Sequence, residues 1–380
     1  MSTAPEAPPR ERYESLNALR GLVALVIVVF HFPHIFFGAE LSFIRHSYVF
    51  TNMYFALSGF LMMAVYGDRL ASFGKYGSFF KGRFLRLYPL HVFTMVTVIL
   101  SPWLAWLLNQ GISHLVTGTS YGGLPPLTVN WGEVAGDLLM LQGFGLFDSL
   151  HLNFPSWAMS VLLISTLLFG LIATVFHRHP LVRDSVFLLL FLAGLVSVWM
   201  LTPKYIGATY DYGLMRCFAS FFLGALVFRA RQALNLPGRV GQWAVAWQSA
   251  AVVLVLGFIT IVGIDTERSM LAPFIFALFV LAFSFDKGDY AALLRTRIPQ
   301  WLGERSFSIY LNQATLLFIG LATQYWVVER FAMGEFEVKL FGTFSLAVFV
   351  VALLYWSDWT YRNIELRFTA SRRKRAEVRA

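Results

Sequence analysis

Residues 16–37 read LNALRGLVALVIVVFHFPHIFF, an apolar stretch interrupted by Arg20, His31 and His34. It is long enough to cross a bilayer as a helix, which takes about twenty apolar residues. In a helix, eleven steps of about 100° total roughly 1100°, about 20° beyond three full turns, so Arg20 and His31 face the same way. At about 1.5 Å per residue they lie roughly 16 Å apart along the axis, one at the membrane edge and the other near mid-membrane. An ionisable group held in hydrocarbon is costly and marks a candidate functional site. The pattern also fits a plainer reading, in which His31 bonds a neighbouring helix and Arg20 marks the inner boundary.

The rest of the chain has the same character. Of 380 residues, 57% are hydrophobic and only 13% charged, against about 25% charged in soluble domains. These values describe an all-α, polytopic membrane bundle. The net charge of +9 does not indicate nucleic acid, because the basic residues fall between apolar spans. The single cysteine, Cys217, excludes an intramolecular disulfide and a cysteine metal cluster. His31 and His34 have a spacing that suits a metal, but no other ligand cluster accompanies them, so no metal is expected.

Ten spans are predicted, at 16–38, 48–66, 87–108, 156–176, 185–202, 211–228, 243–264, 270–286, 306–325 and 339–361. The sixth is the least regular, since it contains Asp211 and Arg216. With the N-terminus inside, twenty-two of the thirty Lys and Arg residues fall on inner segments and five on outer ones. This asymmetry places both termini in the cytoplasm. The division is then a tail at 1–15, a membrane domain at 16–361 and a basic tail at 362–380, whose SRRKRAEVR run suits anionic lipid. No soluble domain is expected after the last span. The longest outer segment, 109–155, is rich in glycine and aromatics, and Trp131 and Trp157 suit an interfacial belt.

Two further segments carry polar groups. In SFFKGRFLRLYPLH, residues 78–91, Arg83 and Arg86 share a helical face at the inner mouth of the third span. Guanidinium groups grip phosphate in bidentate fashion, so a diphosphate-bearing donor fits there; plain topological anchoring fits as well. In TNMYFALSGFLMM, residues 51–63, Ser58 and Gly59 allow close helix approach.

Together these segments resemble the membrane acyltransferase-3 family. LNALRG with Arg20 and His31 is similar to its first-helix signature, and FALSGF (55–60) to its second-helix pattern. RFLRLYP (83–89), GERSFSIYL (303–311) and YRNIE (361–365) resemble three later ones, in order along nearly the whole chain. Two positions depart. The family often reads W-S-x-S-x-E where this chain has WAMSVL, with Leu162 at the carboxylate position, and Y-L-x-H where this chain has YLNQ, with Gln313 for the histidine.

The resemblance implies transfer of an acyl group, with acetyl (from acetyl-CoA) the expected one, from acyl-CoA as co-substrate to a hydroxyl. No cofactor is permanently bound. His31 and Arg20 are the expected catalytic pair, with His31 a general base on the acceptor hydroxyl or, in a variant mechanism, an acyl carrier. Arg83 and Arg86 are expected to bind the donor. Trp157, Ser160, Asn312 and Gln313 are candidate substrate-binding residues, and the last three are candidate donors to the developing oxyanion. Glu365 is expected to pair with an inner-side arginine. The expected acceptor is a cell-envelope glycan, a lipid-linked sugar or another small hydroxylated molecule, acylated without a fused soluble domain at a bacterial-type inner membrane. With Leu162 and Gln313 in those places, a transporter or export-complex member on the same scaffold is the alternative.

Overall fold

A computed structural model describes residues 13–120, 122, 129–150, 152–234 and 239–368. Arg10, Arg12 and the SRRKRAEVR run lie outside the described residues, as do most of the expected tails and the tip of the 109–155 segment. Among the described residues there is no strand. In chain order the helices are α1 (Glu14–His31), α2 (Ser42–Arg45), α3 (Phe50–Tyr66), α4 (Phe73–Thr117), α5 (Trp131–Leu138), α6 (Ser156–Val175), α7 (Pro180–Leu201), α8 (Gly213–Leu234), α9 (Arg239–Ile261), α10 (Ala272–Phe283), α11 (Asp289–Leu294), α12 (Arg297–Arg330) and α13 (Glu335–Thr360). A π-helical turn, Tyr361–Glu365, continues α13.

Nine of the described helices are long and apolar enough to cross a bilayer. The expected eighth span, 270–286, differs: α10 has 12 residues, preceded by a five-residue 3-10 turn, Glu267–Leu271. Together they are at the short end of crossing length. The first span also differs, ending at His31 rather than 38. Pro33 is the cause. A residue before proline is pushed out of the helical region, and Phe32 is extended, with φ −70° and ψ 145°. His31 is therefore the last residue of its helix. His34 is exposed beyond the helix end, so the helical i, i+3 relation between the two histidines does not exist.

The third span proves to be the middle of α4, a 45-residue helix capped by the Ser72 side chain and closed by Gly118 at φ 69°. Arg83 and Arg86 ride on its inner extension.

Helix α1 is fixed in place at its base and along one face. The Asp286 carboxylate accepts from the backbone N–H groups of Glu14 and Ser15, each at 3.0 Å, and from the Ser15 hydroxyl. It supplies acceptor and charge where a helix N-terminus needs both. Along the face, α1 runs parallel to α12. Asn17 Nδ2 donates to Gln300 Oε1 at 3.1 Å, and Gly21 packs directly on the backbone of Leu302 and Gly303. A side chain at Gly303 would meet the Asn17 carbonyl. Backbone contact through small residues is how membrane helices approach closely, and it sets the register further up. His31 is fourteen residues past Asn17, and Gln313 is thirteen past Gln300. The two meet.

Helices α3 and α8 make another close pair, through Gly59 against Phe221 and Gly224 against Ala56. Arg216 of α8 is buried against them. Its guanidinium donates to Asn52 Oδ1 (3.2 Å), Ala208 O (2.9 Å) and Tyr48 O (2.9 Å), and lies 5.3 Å from the Trp157 ring centroid. Its donors are taken up by protein oxygens, as an arginine within a membrane bundle requires. Asp211 lies outside α8 and pairs with Lys204 at 3.4 Å.

Candidate functional site

His31 Nδ1 lies 3.0 Å from Gln313 Oε1, and Gln313 Nε2 donates to the Tyr310 carbonyl at 2.8 Å. That second bond orients the amide, because a carbonyl oxygen only accepts. Gln313 therefore presents an acceptor to the imidazole, and His31 Nδ1 carries the hydrogen. The neutral ring then has its lone pair on Nε2, the form a proton acceptor needs. The Phe154 ring packs edge-on against the imidazole at 4.9 Å, and Phe30 lies at 5.2 Å.

On the inner side of His31 is a chamber of about 360 Å³, bordered by Arg20, Ile27, Tyr54, Leu162, Arg83 and Tyr310, among others. Ile27 is one helical turn before His31. The chamber shares Val65, Arg83 and Arg86 with a wider inner cleft of about 1000 Å³, which adds Arg69 and Lys75. A cationic cleft thus leads into an apolar chamber. Arg83 lies over the rings of Tyr66 (5.0 Å) and Phe79 (5.6 Å), which hold it in place by cation–π attraction. Arg86 Nε is 3.8 Å from Glu365 Oε1. Glu365 is 5% exposed and accepts from Ser308 Oγ at 3.2 Å. It is in the π-helical turn and pairs with an inner-side arginine.

The chamber brings together Arg20, Arg83 and Arg86, and Gln313 reaches His31. Three other expected site residues lie elsewhere. Helix α6 turns Ala158, Leu162 and Thr166 to the chamber, one face at a four-residue spacing. Ser160 is off that face and donates to the Trp157 carbonyl at 2.9 Å. Trp157 is buried between Phe55 and Arg216 and forms no interfacial belt. Trp131 is 74% exposed. Asn312 turns to α13, donating to Ser308 O and Thr360 Oγ1, both at 2.8 Å.

A polar cluster on the outer side went unnoticed in the sequence. His91 Nε2 donates to the Asp137 carbonyl at 2.7 Å. Gln142 Nε2 donates to Ser156 Oγ at 3.0 Å, and Asn153 Nδ2 to Thr94 Oγ1 at 2.9 Å and Leu311 O at 3.3 Å. His91 Nδ1, Asp137 Oδ2, Gln142 Oε1 and Asn153 Oδ1 are buried and have no protein partner. Burial pushes the Asp137 carboxyl up to about 7. Asn153 precedes Phe154, the ring on His31, so one residue links the cluster to the imidazole. Among the described residues no group of His, Cys, Asp and Glu is arranged to hold a metal.

The acyltransferase domain family matches residues 13–362. "Protein 2 in picA locus" of Rhizobium radiobacter is 41% identical over 92 residues, 24% of this chain. The match spans 45% of that relative's length. No solved structure matches. With the match running from the start of α1 to the π-helical turn, this multi-pass membrane chain belongs to the acyltransferase domain family.

Proposed function

We propose that the protein is a membrane O-acyltransferase. It moves an acyl group, acetyl in the simplest case, from acyl-CoA to a hydroxyl of a cell-envelope glycan, lipid-linked sugar or other small acceptor in a bacterial-type inner membrane. The observation that carries this reading is the His31–Gln313 bond, one helical turn beyond Ile27 of the chamber wall, with a chamber that shares Arg83 and Arg86 with a cationic cleft. The cleft suits the phosphates of the donor, and the chamber its thioester arm. The outer cluster of unpartnered acceptors suits a partner that donates hydrogen bonds, as a hydroxylated acceptor does.

The imidazole then supplies the chemistry. Nε2 removes the hydroxyl proton as that oxygen attacks the thioester carbon. The C–O bond forms, negative charge gathers on the carbonyl oxygen, and collapse breaks the C–S bond. The leaving thiolate recovers the proton from Nε2–H, so the imidazole ends neutral. Gln313 holds the ring in the competent tautomer throughout and accepts from the imidazolium while it exists. In the variant route, Nε2 attacks the thioester itself and passes the acyl group on. Ping-pong kinetics with a burst identify that route, and a ternary-complex pattern identifies direct transfer.

Mass spectrometry of envelope glycans and lipids, from cells with and without the gene, tests the proposal. Loss of one acyl mass from a hydroxylated species is expected and names both acyl group and acceptor. An unchanged acylation profile, with movement of an unmodified substrate by purified protein in vesicles, contradicts it.

A further inference from the structure

Acyl transfer gathers negative charge on the thioester carbonyl oxygen, and a hydrogen-bond donor has to meet it there. The three donors expected from the sequence are engaged elsewhere. Ser160 donates to the Trp157 carbonyl, and Asn312 donates to Ser308 and Thr360. The Gln313 amide is taken up by His31 and by the Tyr310 carbonyl.

Tyr310 itself has a donor at the right level. Gln313 meets His31 across the parallel helices α1 and α12. Tyr310, three residues before Gln313, is therefore level with Val28, beside Ile27. Ile27 and Tyr310 border the chamber together. So does Thr51, which is fourteen residues before Val65 on α3, roughly 21 Å along the helix. Val65 belongs to the cleft end, so the chamber is long enough to carry an arm from the cleft towards Tyr310 and the imidazole. The Tyr310 ring lies 6.1 Å from the Tyr54 ring, which packs against it. Tyr310 keeps 8% of its surface exposed. Among the described residues nothing hydrogen-bonds its hydroxyl; its carbonyl accepts from Gln313, and its phenol has only Arg216 and Tyr54 as electrostatic neighbours. The Arg216 donors are placed on Asn52, Ala208 and Tyr48. Its charge still acts on the phenol, since charges reach further where water is scarce, and a nearby cation makes a phenol a stronger donor.

We infer that the Tyr310 hydroxyl donates to the carbonyl oxygen of the acyl donor's thioester and is a catalytic residue of the transfer. The inference rests on the functional reading above. As the acceptor oxygen attacks, the carbonyl π bond opens to an oxyanion that accepts from Tyr310 Oη–H. Tyr310 keeps its proton. When the C–S bond breaks, the carbonyl reforms and the hydrogen bond weakens. A bond that is strongest in the transition state raises kcat rather than affinity. One residue then serves the site twice: its carbonyl orients Gln313, and its hydroxyl receives the charge.

Two measurements on the full-length protein test this. They compare wild type, Tyr310→Phe and, as control, Tyr76→Phe, since Tyr76 bonds the Leu167 carbonyl away from the chamber. The first is the rate of alkali-labile labelling of membranes from [¹⁴C]acetyl-CoA. The second is isothermal titration in lipid nanodiscs with CoA and with S-carboxymethyl-CoA, whose carboxylate carries negative charge next to the carbonyl position. Tyr310→Phe is expected to lower kcat about 10²-fold or more and to leave donor KM and CoA affinity within about twofold. It should weaken S-carboxymethyl-CoA roughly tenfold, the effect of one hydrogen bond to a charged oxygen. The control should match the wild type throughout. Unchanged kcat in Tyr310→Phe overturns the inference and leaves the donor reading standing. An equal loss of affinity for CoA and S-carboxymethyl-CoA also overturns it and makes Tyr310 a packing residue. Absence of both labelling and CoA binding with the wild-type protein overturns the functional reading and the inference with it.

Discussion

The two sides of His31 are opposites in hydrogen-bond chemistry. On the inner side the charged groups are donors: the guanidinium groups of Arg20, Arg83 and Arg86 border the chamber. On the outer side the unpartnered atoms are acceptors: His91 Nδ1, Asp137 Oδ2, Gln142 Oε1 and Asn153 Oδ1. An imidazole with its lone pair on Nε2 stands between them. A donor molecule rich in phosphate and carbonyl oxygens matches the first side, and a hydroxylated molecule matches the second. The difference teaches that the two sides of the imidazole suit partners of opposite hydrogen-bond character.

The largest effect is expected at the junction. His31→Ala should lower acyl transfer about 10³-fold, the usual worth of a general base, and leave CoA affinity within about twofold by titration. A matching loss of CoA affinity would make His31 part of the inner side. Next is the residue that sets the tautomer. Gln313→Leu removes the acceptor at Nδ1 and should reduce kcat by about 10²-fold or more with little change in donor KM. The ¹⁵N resonances of His31 should show Nδ1–H in the wild type and mixed tautomers in the variant. Unchanged kcat would reduce Gln313 to packing.

Substitutions on the inner side alone are smaller. Arg83→Ala and Arg86→Ala should each weaken CoA about tenfold, and the loss should shrink as added salt screens the charges. Unchanged affinity in both would leave them as topology markers.

The outer side gives the smallest effect, and it depends on pH. Burial raises the Asp137 carboxyl from 3.8 to about 7, so the folded protein binds this proton more tightly than the unfolded chain. Its contribution to stability therefore falls as pH rises from about 4 to about 7 and stays low above that. Asp137→Asn removes the penalty. Its melting temperature should exceed the wild type's by several degrees at pH 8, from on the order of 4 kcal/mol at most, and the gap should close towards pH 4. A constant gap would show that Asp137 does not titrate in this range.

Much of this was legible in the chain. Hydropathy located nearly every span, and Arg83 and Arg86 do lie at the mouth of the chamber. The boundary at His31 was also available, because Pro33 dictates it, but the apolar run to Phe37 conceals the stop. What a single sequence withholds is rotation and partnership. Ser160 and Asn312 have suitable side chains on faces turned from the chamber, and only packing determines that. Gln313 resembles a lost histidine until the Tyr310 carbonyl orients its amide. The Tyr54–Tyr310 neighbourhood and the α1–α12 register join residues more than 250 positions apart, through glycine contacts with no local signature.

The most direct measurement is incorporation of label from [¹⁴C]acetyl-CoA into membranes containing wild-type protein or His31→Ala, followed by mild alkali. The account predicts alkali-labile label, as expected of an ester, with the wild type and almost none with the variant at equal protein level. Equal incorporation by both would contradict the assignment of His31 as the group that takes the acceptor's proton.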